Sequence, residues 1–417
     1  MTKITKIVAR EILDSRATPT VETSILTDTG AFGTASVPSG AIMGKNEDTE
    51  LRDGDSARYH GQGVLKAVAN VNNVIAPKLV GMEISEQEKI DNLMIDLDGT
   101  DNERNLGANA VLSVSIAALK AAASTYKLPL FKYIGARYRP GATLSMPGPI
   151  FNLINGGKHG AGNLDFQEFH VIPSTRLRYS DALRAGAETW ANLKVELIHR
   201  NAIHSVGDEG GFAPNLFTNA DALELMALVI KNSNYRLGQD LFLGLDVAAD
   251  TFYKDNKYNI KDSPKALSRD ELIELYSNLV KDYGLLGLED PLDQEDWSGW
   301  NKLKSTLPNS IMVIGDDLIA TNLKRLQKAI DNSSVNAVIV KPNQIGTVTE
   351  TVELMRLAQA NSITTIASHR SGETNDYFIA DFAVGMGANY AKFGAPDRGE
   401  RVAKYNRLLE IESYLGI

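Results

Sequence analysis

The sequence contains no cysteine, so it can form neither a disulfide framework nor a thiolate metal site. It also has no basic tract, and its formal net charge at pH 7 is -9. Nucleic acids and anionic membrane surfaces are bound by positively charged faces. We therefore expect no nucleic-acid partner, and we expect any anionic ligand to be held by metal ions or by a few well-placed lysines and arginines.

Long apolar runs are lacking as well, since no stretch approaches the roughly 18 consecutive apolar residues of a membrane span. The first residues, MTKITKIVAREILDSR, carry charges where a secretory signal peptide has an apolar segment of roughly 7 to 15 residues. We therefore expect no membrane insertion and a cytoplasmic location. Presence at the cell surface, or secretion without a signal peptide, stays open.

Two periodicities divide the 417 residues. Over about the first 55 residues, short alternating runs broken by turn residues predict an antiparallel meander. From Gly63 onward apolar residues recur at helical spacing, and Ser85 with Glu88 has the spacing of a capping box. The segment RYRPGA marks a junction. We predict an α+β N-terminal domain over residues 1–138.

Beyond the junction, eight short apolar runs alternate with longer helical segments. They are PIFNLIN, EFHVIP, LFLGLDV, LLGLED, IMVIGDD, NAVIVKP, ITTIASH and NYAKFGAP. Strands that alternate with helices indicate a parallel sheet, and about eight such units favour closure into a barrel. We predict an eight-stranded α/β, TIM-like barrel over residues 142–417.

Charged side chains stand at the ends or flanks of these runs, namely Glu168, Asp246, Glu289, Asp316, Lys341, His369 and Lys392. The C-terminal ends of barrel strands meet at one mouth, so these side chains should converge. Each acidic residue alone is equally well explained as a turn former or helix N-cap. Asp246, Glu289 and Asp316 together favour a hard oxygen site that suits Mg²⁺. Calcium would accept the same ligands, but no loop has calcium-binding spacing.

Lys341 ends a very apolar run, where burial and a nearby cation would lower its pKa from about 10.4 toward neutrality. A neutral lysine can act as a general base. The alternatives are an anion contact or a lysine that reaches solvent from a strand end.

Two further segments carry polar side chains between glycines or after apolar runs. In VGDEGG, Asp208 and Glu209 are either a presented acid pair or part of an ordinary turn. His159 and His369 follow apolar runs, where a lone histidine is usually structural. Arg370 and Ser371 precede a helix predicted at Glu373, and this combination is typical of a phosphate site.

Ordered motifs along essentially the whole chain resemble those of the enolases: REILDSR, ELRDGD, IDLDGT, GANA, QEF, VGDEGGFAPN, LEDP, GDD, NQIG, SHRSGET, FIAD and ERVAKYN. The resemblance implies Mg²⁺-dependent interconversion of 2-phosphoglycerate and phosphoenolpyruvate. It also implies a homodimer or an octamer.

Carried over by position, the resemblance assigns a role to each candidate residue. Asp246, Glu289 and Asp316 would hold the tightly bound Mg²⁺. Lys341 would be the base at C2 and is expected to be neutral. Glu209 would be the acid for the leaving hydroxyl, is expected to be protonated when the hydroxide leaves, and would be supported by Glu168. The residues that would bind or orient the substrate are Gln167, His159, His369, Arg370, Ser371 and Lys392.

The sequence departs from the enolase pattern in its first mobile loop, where SGASTG is replaced by SGAIMG. Ile42 then stands where a serine helps to hold a second Mg²⁺, so that site is expected to be weakened and turnover lowered. Ala17 replaces a glycine in DSRGNPT and should lose easy access to positive φ. Pro342 restricts Lys341 to extended backbone, which a strand end already has.

Two alternatives remain at this point. One is a catalytically impaired paralogue that serves as a binding or surface protein, which the altered loop favours and the retained barrel residues oppose. The other is a related acid-sugar dehydratase, which would leave Arg370, Ser371 and Lys392 without an obvious task.

Overall fold

The structure is a computed structural model that describes residues 1–40, 44–160 and 164–417. The N-terminal part begins with a three-stranded antiparallel sheet in the order β1-β2-β3, formed by β1 (Ile4–Leu13), β2 (Pro19–Thr27) and β3 (Phe32–Ser36). Helices follow as the periodicity predicted: α1 (Leu65–Asn70), α2 (Ala76–Leu79), α3 (Gln87–Asp98), α4 (Ala108–Thr125) and α5 (Leu130–Tyr138). A π-helical segment, Val71–Ile75, joins α1 to α2.

The capping box expected from Ser85 and Glu88 is not formed. Helix α3 has Glu86 as its N-cap without a side-chain hydrogen bond. The Ser85 hydroxyl instead donates to Glu83 Oε1 at 3.1 Å. Ser85 precedes the N-cap by one residue, and its hydroxyl is bonded to a neighbouring carboxylate instead of to the helix.

Helix α4 forms the centre of the N-terminal part. It packs against β2 and β3. The close approach requires Gly33, because a Cβ there would collide with the backbone of Ala117 and Ala121. By length and hydropathy α4 could cross a membrane, but 83% of it is buried inside the protein. Its apolar character is therefore explained by its place in the core.

The C-terminal part is a closed eight-stranded barrel, which confirms the predicted fold class. Its strands correspond to the eight apolar runs: β4 (Gly148–Asn155), β5 (Glu168–Pro173), β6 (Leu241–Asp246), β9 (Leu285–Glu289), β10 (Met312–Gly315), β11 (Ala337–Val340), β12 (Thr364–Ser368) and β13 (Tyr390–Lys392). A small hairpin of β7 (Tyr253–Lys254) and β8 (Lys257–Tyr258) lies between β6 and β9.

The barrel strands are connected and surrounded by helices. These are α6 (Tyr179–His199), α7 (Asn219–Lys231), α8 (Arg269–Tyr283), α9 (Trp297–Thr306), α10 (Leu323–Asp331), α11 (Val348–Ala360), α12 (Phe378–Met386) and α13 (Gly399–Leu415). A cluster of strand residues that includes Ile150, Ile314 and Ile366 forms a core separate from the larger one shared with the helices.

The expectation of an all-parallel sheet was wrong for one strand. β5 runs antiparallel to both β4 and β6, whereas the other barrel pairs are parallel. The described residues between β4 and β5 contain no helix. Adjacent antiparallel strands need only a loop, whereas a parallel pair needs a crossover. In consequence Glu168, the first residue of β5, pairs with Asp246, the last residue of β6.

Two short contacts attach the base of the first loop to the barrel. Ser39 N donates to Gly372 O at 2.8 Å, and Gly372 N donates to Ser39 O at 2.9 Å. The Ser39 hydroxyl also donates to Asp14 Oδ2 at 2.8 Å. Ser39 is therefore held in place beside Arg370 and Ser371.

Candidate active site

One pocket at the barrel mouth collects most of the predicted site residues. Those that line it are His159, Gln167, Glu168, Glu209, Asp246, Asp316, Lys341, His369, Arg370, Ser371 and Lys392. Glu289 is not among the lining residues but contacts Lys392 from below the surface. Ile42, together with the second metal loop, lies outside the described residues.

Lys392 joins the acidic side chains at the centre of this pocket. Its Nζ lies 2.8 Å from both carboxylate oxygens of Glu289, 3.2 Å from Glu168 Oε2 and 3.7 Å from Asp246 Oδ2. Burial alone would lower the pKa of Lys392, but the carboxylates of Glu168 and Glu289 hold it well above the ordinary value. Lys392 therefore carries a positive charge in this arrangement.

The carboxylates around Lys392 carry more negative charge than this lysine offsets. Burial, with the charge of Asp246, raises the pKa of Glu289 well above its usual range. Burial also raises the pKa of Asp246. The Oδ1 atom of Asp316 is buried without a hydrogen-bond partner among the described residues. Carboxylate oxygens are the donors that Mg²⁺ prefers, so the chemistry of these three side chains suits such an ion.

Lys341 follows β11 and forms an ion pair with Asp316. Its backbone is extended, with φ -125° and ψ 100°, so Pro342 imposes no strain. Burial acts to lower the pKa of Lys341, but the Asp316 carboxylate outweighs it and raises the pKa above the ordinary value. The lowered pKa expected from the sequence depends on a cation beside Lys341 as well as on burial, and it stays a prediction.

Glu209 is buried, whereas Asp208 beside it is exposed, so the two do not form an acid pair. Asn152 Nδ2 donates to Glu209 Oε2 at 3.1 Å, and His369 Nε2 lies 3.4 Å from the same oxygen. Burial and Glu168 would raise the pKa of Glu209, but His159 and His369 lower it to about 2. The sequence did not reveal these donors. The protonation expected of Glu209 belongs to the step in which the hydroxide leaves, and it stays a prediction.

Glu168 lies between three nitrogen groups. His159 Nδ1 is 3.0 Å from its Oε1, and His170 Nε2 is 2.8 Å from its Oε2. Burial would raise the pKa of Glu168, but Lys392 and then His159 bring it well below the ordinary value. The carboxylates of Glu209 and Glu168 in turn raise the pKa of His159 to about 9, against the lowering effect of burial.

Arg370 is buried and paired with a residue that the sequence analysis did not select. Its Nη1 donates to Glu47 Oε2 at 2.9 Å and its Nη2 donates to Glu47 Oε1 at 3.2 Å. Asn343 Oδ1 accepts a further bond from Arg370 at 3.2 Å. No helix begins at Glu373, since α12 starts at Phe378. The expected phosphate site therefore has no helix N-terminus beside Arg370, and the Glu47 carboxylate is bonded to both terminal nitrogens of the Arg370 guanidinium.

The remaining predicted residues have defined partners. Gln167 Nε2 donates to Asp246 Oδ2 at 3.3 Å. His369 Nδ1 accepts from Arg401 Nη1 at 2.7 Å, and Arg401 Nη2 also donates to the backbone oxygen of Ser371 at 2.6 Å. Arg401 is fully buried. It fixes the segment that carries His369, Arg370 and Ser371.

Two acidic residues beside the predicted ones, Asp290 and Asp317, were not predicted from the sequence. Carboxylate oxygens of Asp290, Asp316 and Asp317 lie within 4.8 Å of one another. Asp290 accepts the backbone N–H groups of Asp316, at 3.0 Å, and of Asp317, at 2.7 Å. Asp290 and Asp317 are each the second of two consecutive acidic residues, in LED and in GDD, and only the first of each two was predicted as a site residue. Asp290 orients the segment that presents Asp316.

Comparison with known proteins matches both parts of the chain to family models. Residues 4–134 match the model described as enolase, N-terminal domain, and residues 143–417 match enolase, C-terminal TIM barrel domain. The chain belongs to the enolase family. Membership carries its activity: it is a carbon–oxygen lyase of glycolysis, with phosphopyruvate hydratase activity, that dehydrates 2-phosphoglycerate.

Individual enolases are similar over nearly the full length. The enolase of Rubrobacter xylanophilus is 48% identical over 416 residues, covering 100% of this chain and 96% of its own length. The enolase of Ehrlichia canis is 49% identical over 414 residues, covering 99% of this chain and 97% of its own length. The enolase of Ehrlichia chaffeensis is 46% identical, with the same coverage. Enolases use Mg²⁺, in agreement with the acidic site at the barrel mouth.

Proposed function

We propose that dehydration of 2-phosphoglycerate proceeds between Lys341 and Glu209, with Lys341 as the base at C2 and Glu209 as the acid at C3. The observation that carries this assignment is the strand order β11-β12-β13-β4-β5 in an eight-stranded barrel, which places Lys341 and Glu168 on opposite sides of the mouth. Glu209 belongs to the Glu168 side through His159, which contacts both carboxylates. A substrate between the two sides would offer C2 to one and the C3 hydroxyl to the other.

In the proposed reaction, Lys341 Nζ takes the C2 proton and leaves the bonding electrons on the substrate carboxylate as an enolate. Those electrons then form the C2–C3 double bond while the C3–O bond breaks, and a proton from Glu209 leaves with the hydroxide as water. Lys341 must be neutral and Glu209 protonated for these steps. The roles are assigned from position. In the structure Lys341 pairs with Asp316 and Glu209 lies beside two histidines, and these partners favour a charged lysine and a charged glutamate.

Asp246, Glu289 and Asp316 are the proposed Mg²⁺ ligands. Bound there, Mg²⁺ would supply concentrated positive charge beside the developing enolate. Lys392 adds a fixed positive charge, and Arg370 with Ser371 would bind the phosphate. Gln167, His159 and His369 would orient the substrate, and Glu168 would support Glu209.

The test separates the two proton transfers. Lys341→Ala should abolish both phosphoenolpyruvate formation, followed by ultraviolet absorbance, and exchange of the C2 hydrogen with deuterated water. Glu209→Gln should lose dehydration but keep C2 exchange, because only the later step needs the acid. We expect activity losses of about 10³-fold or more for each. Loss of exchange in Glu209→Gln, or its retention in Lys341→Ala, would contradict the assignment.

The proposal also covers the domain bounds, the location and the oligomeric state of the protein. We propose a division into domains at residues 1–138 and 142–417, supported by the end of α5 at Tyr138 and the start of β4 at Gly148. We propose a cytoplasmic location and assembly into a homodimer or an octamer. Light scattering of the purified protein would distinguish the two oligomers by mass.

A further inference from the structure

Arg401 bonds to two segments of the barrel mouth at once. It lies near the start of α13 and is fully buried. Its Nη2 donates to Asp208 O at 3.0 Å and to Ser371 O at 2.6 Å. Its Nη1 donates one proton to Arg370 O. This one side chain therefore ties the loop that carries Glu209 to the segment that is proposed to bind phosphate.

The other proton of Arg401 Nη1 is donated to the ring of His369. Nη1 lies 2.7 Å from His369 Nδ1. A guanidinium stays charged and has no acceptor atom, so it can only donate. Nδ1 is therefore the acceptor and carries no proton. A neutral imidazole has one proton, which then lies on Nε2.

The Nε2 side of the His369 ring faces Glu209. His369 Nε2 lies 3.4 Å from Glu209 Oε2, an oxygen that also accepts from Asn152 Nδ2 at 3.1 Å. With its proton on Nε2, His369 is a donor toward this carboxylate. With the proton on Nδ1 instead, Nε2 would offer a lone pair and would accept the proton of a protonated Glu209.

A doubly protonated His369 is disfavoured as well. The charged groups that face the ring are Glu209, Glu168 and Arg401. Burial lowers the pKa of His369, and together with Arg401 it outweighs the two carboxylates, so the pKa lies below the ordinary value. A proton on Nδ1 would also replace the bond from Arg401. His369 is therefore neutral and keeps its single proton on Nε2.

We propose that Arg401 is a positioning residue for the acid step: it fixes His369 as a neutral ring with the proton on Nε2, which donates to Glu209. The inference rests on the proposed role of Glu209 as the acid at C3. A ring with a bare Nε2 would compete with the C3 hydroxyl for the proton of Glu209. A charged ring would stabilise the Glu209 carboxylate against protonation. Arg401 prevents both.

The tautomer can be measured without any activity. Solid-state NMR on protein that carries ¹⁵N only at Nδ1 of histidine separates bare from protonated Nδ1 atoms at any oligomeric size. The chain has six histidines, and the signal of His369 is the one missing from His369→Gln. We expect a bare Nδ1 in the unaltered protein at about pH 6 to 8, where histidines usually titrate. A protonated Nδ1 would overturn the proposal.

Arg401→Met removes the donors and keeps an unbranched side chain. We expect His369 Nδ1 to become protonated at about pH 6, because the guanidinium no longer opposes the two carboxylates. At saturating substrate, dehydration should fall by about 10²-fold, whereas exchange of the C2 hydrogen with deuterated water should stay within about 3-fold, since only the later step uses Glu209. Arg407→Met, which removes an arginine paired with Asp381 from the same helix, is the matched control and should change none of these readouts.

Equal losses of exchange and dehydration in Arg401→Met would assign Arg401 a purely structural role and overturn the proposal. If that variant does not fold, the Nδ1 signal of the unaltered protein decides the matter. Loss of C2 exchange in Glu209→Gln would contradict the proposed function instead, and it would leave the Nδ1 signal of the unaltered protein as it is. The two failures are therefore distinguishable.

Discussion

At the scale of single residues, the pairing of Arg370 with Glu47 has a direct consequence for substrate binding. A two-point Arg–carboxylate pair has the same geometry as an Arg–phosphate pair. The Glu47 carboxylate, which also accepts a bond from Gln344 Nε2 at 3.3 Å, therefore occupies the fork that a phosphate would use. An incoming phosphate must displace Glu47 or share the guanidinium with it.

We therefore predict that Glu47→Gln binds inorganic phosphate more tightly, by about 5-fold or roughly 1 kcal/mol, because the competing negative charge is gone. Isothermal titration calorimetry with phosphate measures this directly. Glu353→Gln, at an exposed position on α11, is the matched control and should bind phosphate as the unaltered protein does. Weaker binding in Glu47→Gln would instead mean that Glu47 holds Arg370 in its working position.

At the scale of elements, the turn between β1 and β2 contains a strained alanine. Ala17 adopts a φ of 57°, so the backbone keeps a left-handed conformation although the residue is not glycine. The turn is closed by Ala17 N donating to Asp14 O at 3.1 Å and Asp14 N donating to Thr18 O at 2.8 Å. Loss of the glycine was expected to remove easy access to this conformation, but the surrounding hydrogen bonds impose it.

Ala17→Gly should accordingly stabilise the protein by about 0.5–1 kcal/mol, since relief of roughly 1–2 kcal/mol of strain exceeds the entropy that glycine adds to the unfolded chain. Urea unfolding followed by circular dichroism measures the change. The control has the opposite sign: Ala191→Gly, exposed in the middle of α6, should destabilise by about 1 kcal/mol. Equal losses from both substitutions would show that Ala17 is not strained.

The elements were predictable from the sequence to the extent that periodicity encodes them. All eight barrel strands coincide with apolar runs, because a strand buried on both faces must be continuously apolar. Strand direction leaves no such pattern, so the antiparallel β5 was missed. The helix expected at Glu373 failed because that carboxylate accepts the backbone N–H of Arg370 and pairs with Lys404, 31 residues further along the chain.

The site was predictable where a charged residue ended an apolar run, and not where a partner came from a distant segment. Glu47 and Arg370 are 323 residues apart in sequence, and nothing local to either residue indicates the pair. The same limit applies to the groups that shift the pKa values of Lys341 and Glu209 in the fold, which are Asp316 for the lysine and the two histidines for the glutamate. A pKa depends on neighbours within a few ångströms, and those neighbours are set by the closed barrel.

At the scale of the whole molecule, the junction between the N-terminal part and the barrel contributes to the way stability depends on pH. In the fold, Asp48 and Glu350 each have a pKa of about 7, whereas ordinary values near 4 apply in the unfolded chain. Between these values the folded state binds protons that the unfolded state does not. The contribution to stability is therefore full below about pH 4 and is lost as pH rises through about 7. The carboxylates that face this pair are Glu103, Asp98, Asp91, Glu47 and Glu353.

We predict that the melting temperature of the unaltered protein falls between pH 5.5 and 8.5 more steeply than that of Asp48→Asn. The substitution removes one of the two carboxyls that bind a proton in the fold, so less stability is lost as the pH rises. Scanning fluorimetry at several pH values measures both slopes, and Asp101→Asn, at an exposed position, should follow the unaltered protein. Parallel slopes for the unaltered protein and Asp48→Asn would show that this carboxyl takes no part in the pH dependence, and the junction would then owe its stability to packing alone.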